Sequence, residues 1–191
     1  MALPATNAIS CPLAQLLAPG SSALAIRGTV TIDSGFAFFH RFPDRTIDNA
    51  DISARVPILA DFIKTCCARY GLTMPPVAVG YSNGAIMAAA LLLTRPTLLA
   101  GTILFRPLSP FANEPQSRLN GIPVLIIDGE YDSRRSPGDG ARLAERLRGV
   151  GAKVTHHVLP VGHVISDLDV PLTRTWLNAV ARDGTDFAHG V

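Results

Sequence analysis

Lysine, cysteine and tryptophan are scarce in this chain, and no apolar run is long. Lysine occurs only as Lys64 and Lys153, and 17 basic residues against 15 acidic ones leave a net charge of +2. The arginines are scattered, so no basic stripe exists to neutralise a row of phosphates, and nucleic acid is not an expected partner. There are 3 cysteines. Cys66 and Cys67 are adjacent in a helix-like stretch, where neighbouring side chains point apart, and Cys11 stands alone. No ordinary disulfide is expected between the pair. No CxxC or Cys/His ligand spacing is present, so no metal is expected. Reduced thiols suit a cytoplasmic protein. The first residues carry Pro4 and Pro12 but no basic region, which makes a poor secretory signal. The most apolar run, Ala85 to Leu93, is too short to span a bilayer, so no stable membrane insertion is expected. A glycine-rich phosphate loop is also lacking: GYSNG at 80–84 has neither the lysine nor the spacing. Nothing calls for a cofactor.

What is present suits one compact domain over residues 1–191. Hydrophobic residues make up 48% and charged residues 17% of the chain, which argues against disorder. A chain of this length buries about 70% of its extended surface, enough for one large core. Strand-like and helix-like segments alternate. Ser22–Arg27, Pro76–Val79, Ala100–Phe105, Ile122–Ile127 and Lys153–Leu159 read as strands. Asp48–Tyr70, Ala85–Leu93, Asp139–Val150 and Pro171–Arg182 carry helical spacing. This alternation predicts an α/β fold: a mostly parallel sheet with helices on both faces.

The sharpest motif is Gly80-Tyr81-Ser82-Asn83-Gly84. An apolar strand enters it and a small-residue helix leaves it. So tight a strand-to-helix turn crowds the backbone, glycines relieve the crowding, and Ser82 is left on the exposed tip. The helix N-terminus favours developing negative charge there, and the Asn83 amide is placed to donate to an oxyanion. A serine hydroxyl needs a base, and the base needs an orienting acid. In such a fold the chain order is serine, acid, histidine. Asp128-Gly129-Glu130-Tyr131-Asp132 follows the Ile122–Ile127 strand, and Pro160-Val161-Gly162-His163 follows the Lys153–Leu159 strand. Asp132 is preferred over Asp128, which ends the strand and could cap backbone amides, with Glu130 as runner-up. His163 is preferred over His156 and His157 within a strand, over His40 before the serine and over His189 in the tail.

These residues carry a resemblance. The chain is similar to the small α/β-hydrolases grouped as carboxylesterase or phospholipase-type esterases, relatives of dienelactone hydrolase and acyl-protein thioesterase. The likeness runs from about Pro12 to about Asn178. It rests on LAQLLAPG at 13–20, IRG at 26–28, FFHRF at 38–42 followed by Asp48 and Asp51, VGYSNGA at 79–85, LFRPLSPF at 104–111, DGEYD at 128–132 and GH at 162–163. It implies an α/β-hydrolase fold and hydrolysis of small-molecule carboxylic esters by Ser82, His163 and Asp132. The chain departs from the family at its start. The His-Gly-x-Gly-Gly-like loop that supplies a second oxyanion amide would fall at about Met1–Ala5, and MALPA has nothing like it. The strand before that loop has no counterpart. An N-terminally shortened sheet is therefore expected, with an open edge that could pair with a second subunit as a homodimer. An oxyanion hole with one donor costs on the order of 10²–10³ in rate. Two other readings stay open: a catalytically impaired binding or assembly protein, and a lactone or thioester hydrolase on the same scaffold.

For the substrate pocket, Phe36, Phe38, Phe39 and Phe42 share one long loop and are expected to wall an acyl or aromatic site over Ser82. Arg106, between a strand and Pro107, is expected at the site edge, with a salt bridge as the alternative.

Overall fold

The computed structural model describes residues 12–33, 35–112 and 117–188. In chain order the elements are α1 (Pro12–Leu17), β1 (Val30–Ile32), β2 (Gly35–Ala37), α2 (Asn49–Arg69), β3 (Val77–Tyr81), α3 (Asn83–Thr94), β4 (Gly101–Phe105), β5 (Pro123–Gly129), α4 (Asp139–Gly149), β6 (Lys153–Leu159) and α5 (Asp169–Ala188). The main sheet is parallel with order β3-β4-β5-β6, and β1 and β2 form a separate antiparallel hairpin.

Side-chain alternation divides the core into two layers. Leu104, Val124 and Ile126 face α2, α3 and α4, while Ile103, Phe105, Leu125 and Ile127 face α1 and α5 around Leu17 and Trp176. Central strands covered on both faces must be apolar throughout, which is why β4 and β5 read as continuous runs. The Asp48 carboxylate caps α2 by accepting from the Asp51 N–H at 2.9 Å.

The predicted Ser22–Arg27 strand is not formed. That stretch is irregular and largely exposed, and only Ile26 packs partly against the core. Local β propensity without a pairing partner does not make a strand. The β1–β2 hairpin just after it is the first extended structure among the described residues. On the β3 edge, Val79 and Tyr81 are exposed and no strand pairs with it among the described residues. The expected position of the family's oxyanion loop, Met1–Ala5, lies outside the described residues.

Candidate active site

The site forms where the parallel strands end. β3 stops at Tyr81 and α3 begins at Asn83, leaving Ser82 alone to reverse the chain. Its backbone takes φ 53° and ψ −109°. A non-glycine residue in so sparsely populated a conformation costs on the order of 1–3 kcal/mol and persists only where packing enforces it. Enforcement comes from the close approach of α3 to β3. A Cβ on Gly80 would lie 2.6 Å from both the Ala85 Cα and the Gly84 carbonyl oxygen, so only glycine fits. The Ser82 N–H donates to the Phe105 carbonyl at 2.9 Å, tying the turn to β4. The side chain is thereby pushed up, half-buried, above the sheet.

Two loops converge on it. The Ser82 hydroxyl donates to His163 Nε2 at 2.9 Å. His163 Nδ1 donates to Asp132 Oδ2 at 2.7 Å, and the other carboxylate oxygen accepts the Arg134 N–H at 2.8 Å. Side-chain exposure is 8% for His163 and 2% for Asp132, so the pair is shielded while the serine stays accessible. Tyr81 covers the imidazole, with ring centroids 5.2 Å apart. At Gly129 a Cβ would lie 2.4 Å from the Gly162 carbonyl oxygen, so the acid loop and the histidine loop touch through backbone. Burial pulls the His163 pKa below its ordinary value; the Asp132 hydrogen bond opposes this, and Arg135 and Arg134 add to the lowering.

Among the rivals, Asp128, His156 and His40 are engaged elsewhere, and His189 lies outside the described residues. Asp128 bonds His156 Nε2 at 2.7 Å, and His40 bonds Asp51 at 3.0 Å. Glu130 is exposed. The Asn83 N–H is the first of α3, without an intrahelical acceptor by position. The Asn83 side chain accepts from the Phe38 N–H at 2.7 Å, which fastens the aromatic loop to the elbow.

That loop does not form the aromatic wall expected of it. Phe39 is a core residue, 1% exposed. Phe36 and Phe42 are half exposed, and Arg27 stacks on the Phe36 ring at 4.1 Å. Phe38 alone lies against the elbow, in ordinary contact with the space beside Gly84. Four phenylalanines on one irregular loop point several ways because no regular repeat aligns them. A cavity of about 390 Å³ lies instead between the 107–111 loop and α4, lined by Ile47, Leu108, Ser109, Asp139 and Arg142, without any of the four.

Arg106 also departs from expectation. It is fully buried and paired with Asp169, the first residue of α5, through Nη1 at 2.7 Å and Nη2 at 2.9 Å. Its remaining donors reach the Ile127, Gly162 and Val164 carbonyls at 3.0, 3.2 and 3.2 Å. The last two flank His163. Arg106 thus holds the histidine loop from beneath and does not meet the site edge. Burial alone would raise the Asp169 pKa, but the bonds from Arg106 and Ser166 prevail and hold it below the usual carboxylate range.

One residue escaped the sequence reading. Arg135 Nη2 donates to Ser82 Oγ at 3.2 Å. The only signal was two consecutive arginines just past Asp132.

A parallel α/β sheet with a strained serine at a strand-to-helix turn, faced by a histidine and a carboxylate from later strand ends, defines an α/β-hydrolase. The phospholipase/carboxylesterase pattern matches residues 27–180, and the chain belongs to that family of hydrolases. The MhqD protein of Bacillus subtilis is 31% identical over 165 residues, covering 86% of this chain and 82% of that protein. The carboxylesterase of Bacillus cereus superposes with a TM-score of 0.84 at 30% identity, covering 89% of this chain and 81% of its own. That of Mesorhizobium loti gives 0.83 at 32% identity, covering 88% and 80%. A carboxylesterase-type hydrolase takes small-molecule esters. Among the described residues no helix is long and apolar enough to cross a membrane.

Proposed function

We propose that the protein hydrolyses small and medium carboxylic esters with Ser82 as nucleophile, His163 as general base and acid, and Asp132 as the group that orients the imidazole. The observation that supports this is the unbroken hydrogen-bond chain from the Ser82 hydroxyl through both His163 nitrogens to Asp132. Ser82 Oγ attacks the ester carbonyl while His163 Nε2 accepts its proton. The Asn83 N–H at the start of α3 donates to the oxyanion, helped by the partial positive charge of the helix end. His163 returns the proton to the departing alkoxide, and an acyl-enzyme remains. Water, deprotonated by His163, then releases the acid and restores Ser82. Asp132 stays ionised throughout and steadies the imidazolium. The lowered His163 pKa keeps the base neutral at physiological pH.

The test is a fluorophosphonate probe together with p-nitrophenyl acetate. The wild-type protein is expected to be labelled at Ser82 and to turn the ester over. Ser82→Ala is expected to lose labelling and to fall by about 10⁴-fold or more in kcat. Turnover at the wild-type rate in Ser82→Ala would sink the assignment.

A further inference from the structure

Arg135 takes no part in that proton relay, yet it lies against the nucleophile. Its Nε donates to the Arg106 and Pro107 carbonyls at 2.8 and 3.2 Å, and Nη1 donates to the Arg134 carbonyl at 3.0 Å. These acceptors fix the plane of the guanidinium and leave Nη2 aimed at Ser82 Oγ, 3.2 Å away. Among the described residues no carboxylate forms an ion pair with it. Asp132, Asp139 and Asp128 act on it only at longer range. Each is engaged otherwise: Asp132 with His163 and the Arg134 N–H, Asp139 with the Ser136 N–H and Arg142, Asp128 with His156. Arg41 lies near enough to repel Arg135, and Arg134 near enough to repel a protonated His163. Ser82 Oγ therefore faces a guanidinium that no carboxylate pairs among the described residues.

For a neutral ester this arrangement is a burden. A cation donating to the Oγ lone pair makes the hydroxyl a poorer nucleophile, and partial burial of the charge is unfavourable without a counter-charge. Both costs vanish when the substrate itself brings an anion. A carboxylate on the acyl part would draw the Nη2 donor off Oγ and onto itself through a charge-assisted hydrogen bond. Once Oγ bonds the acyl carbon, atoms a few bonds beyond that carbon fall within reach of the same donor.

We propose that Arg135 makes this enzyme selective for esters that carry a carboxylate a few bonds from the scissile carbonyl, of which half-esters of short dicarboxylic acids are the simplest case. The proposal rests on the reading of Ser82 as nucleophile. The chemistry is unchanged: the acyl C–O bond breaks, the alcohol leaves with the proton carried by His163, and water releases a free dicarboxylate.

The experiment compares kcat/KM for monomethyl succinate and dimethyl succinate by acid release at low salt, in wild type and Arg135→Met. The wild-type enzyme is expected to favour the half-ester at least tenfold. Arg135→Met is expected to shrink that ratio by roughly tenfold to a hundredfold, the range for a hydrogen bond to a charged group. Free succinate is expected to compete with either ester in wild type and more weakly in the variant. A wild-type preference for the diester, or equal losses on both esters in Arg135→Met, overturns the proposal. The wild-type comparison decides it even where the variant does not fold. Fluorophosphonate labelling of Ser82 separates the two claims: a labelled enzyme without the preference refutes the role of Arg135 alone, whereas an unlabelled enzyme inert to both esters refutes the nucleophile.

Discussion

Replacing Arg106 by methionine removes one side of a fully buried ion pair and leaves the chain length of the side chain nearly unchanged. Neither Arg106 nor Asp169 has any side-chain exposure. The substitution leaves the Asp169 carboxylate with only the Ser166 N–H and hydroxyl, each at 2.8 Å, and strands the Gly162 and Val164 carbonyls, whereas the Ile127 carbonyl keeps the backbone N–H of residue 106 at 2.9 Å. Breaking a buried pair from one side costs about 3–5 kcal/mol. With a urea m-value of roughly 2 kcal/mol per molar, the unfolding midpoint is expected to drop by about 2 M. That is a large share of the roughly 5–15 kcal/mol that holds a domain folded. The loss has a functional side as well, since both stranded carbonyls flank His163. In the fraction that remains folded, fluorophosphonate labelling of Ser82 is expected to slow, because the imidazole is no longer held at 2.9 Å from the hydroxyl. The double variant Arg106→Met with Asp169→Leu removes the stranded charge and is expected to recover more than half of the lost stability. A single variant within about 1 kcal/mol of wild type, or a double variant no more stable than the single one, would refute the reasoning.

With His163 as the proposed base, activity depends on its neutral form, and burial holds its pKa below the ordinary value; the acid limb of the kcat/KM profile is therefore expected below about pH 6.5, with activity kept on the alkaline side. In Arg135→Met, where one lowering influence is gone, that limb is expected to move towards higher pH; a limb that stays put or moves down would contradict the charge placement. Gly80→Ala sets a methyl against the Ala85 Cα and the Gly84 carbonyl oxygen at 2.6 Å. Because both obstacles are backbone, it is expected to cost about 1–3 kcal/mol, as overpacking does, and to shift the elbow. Urea unfolding and Ser82 labelling measure both effects, and wild-type values for each would show that α3 yields freely.

Those outcomes turn on contacts of different sequence range, and the range separates what a reader of the sequence can see from what one cannot. The α2 helix announces itself by spacing, and its cap is local too: Asp48 accepts from Asp51 only three residues away. The elbow at 80–84 is equally legible, since glycines, a strand and a helix within a dozen residues dictate its strain. Chain order then points to Asp132 and His163. The Ser22–Arg27 strand failed because a strand is a relation between two segments, and propensity describes only one. The aromatic loop failed because irregular backbone gives no period from which to tell a core Phe39 from an exposed Phe42.

The sequence by itself determined the alternation of strands and helices, the strained serine and the two loops that meet it. All of these rest on local sterics, hydrophobic period and strand order, which act within or between neighbouring segments. Only the tertiary structure decided the fate of the arginines. Arg106 meets Asp169 across 63 residues, and Arg135 meets Ser82 across 53. A guanidinium is long, charged and equally at home on a surface, in a buried pair or against a nucleophile, so its place is set by which carboxylates and carbonyls the completed fold brings within reach.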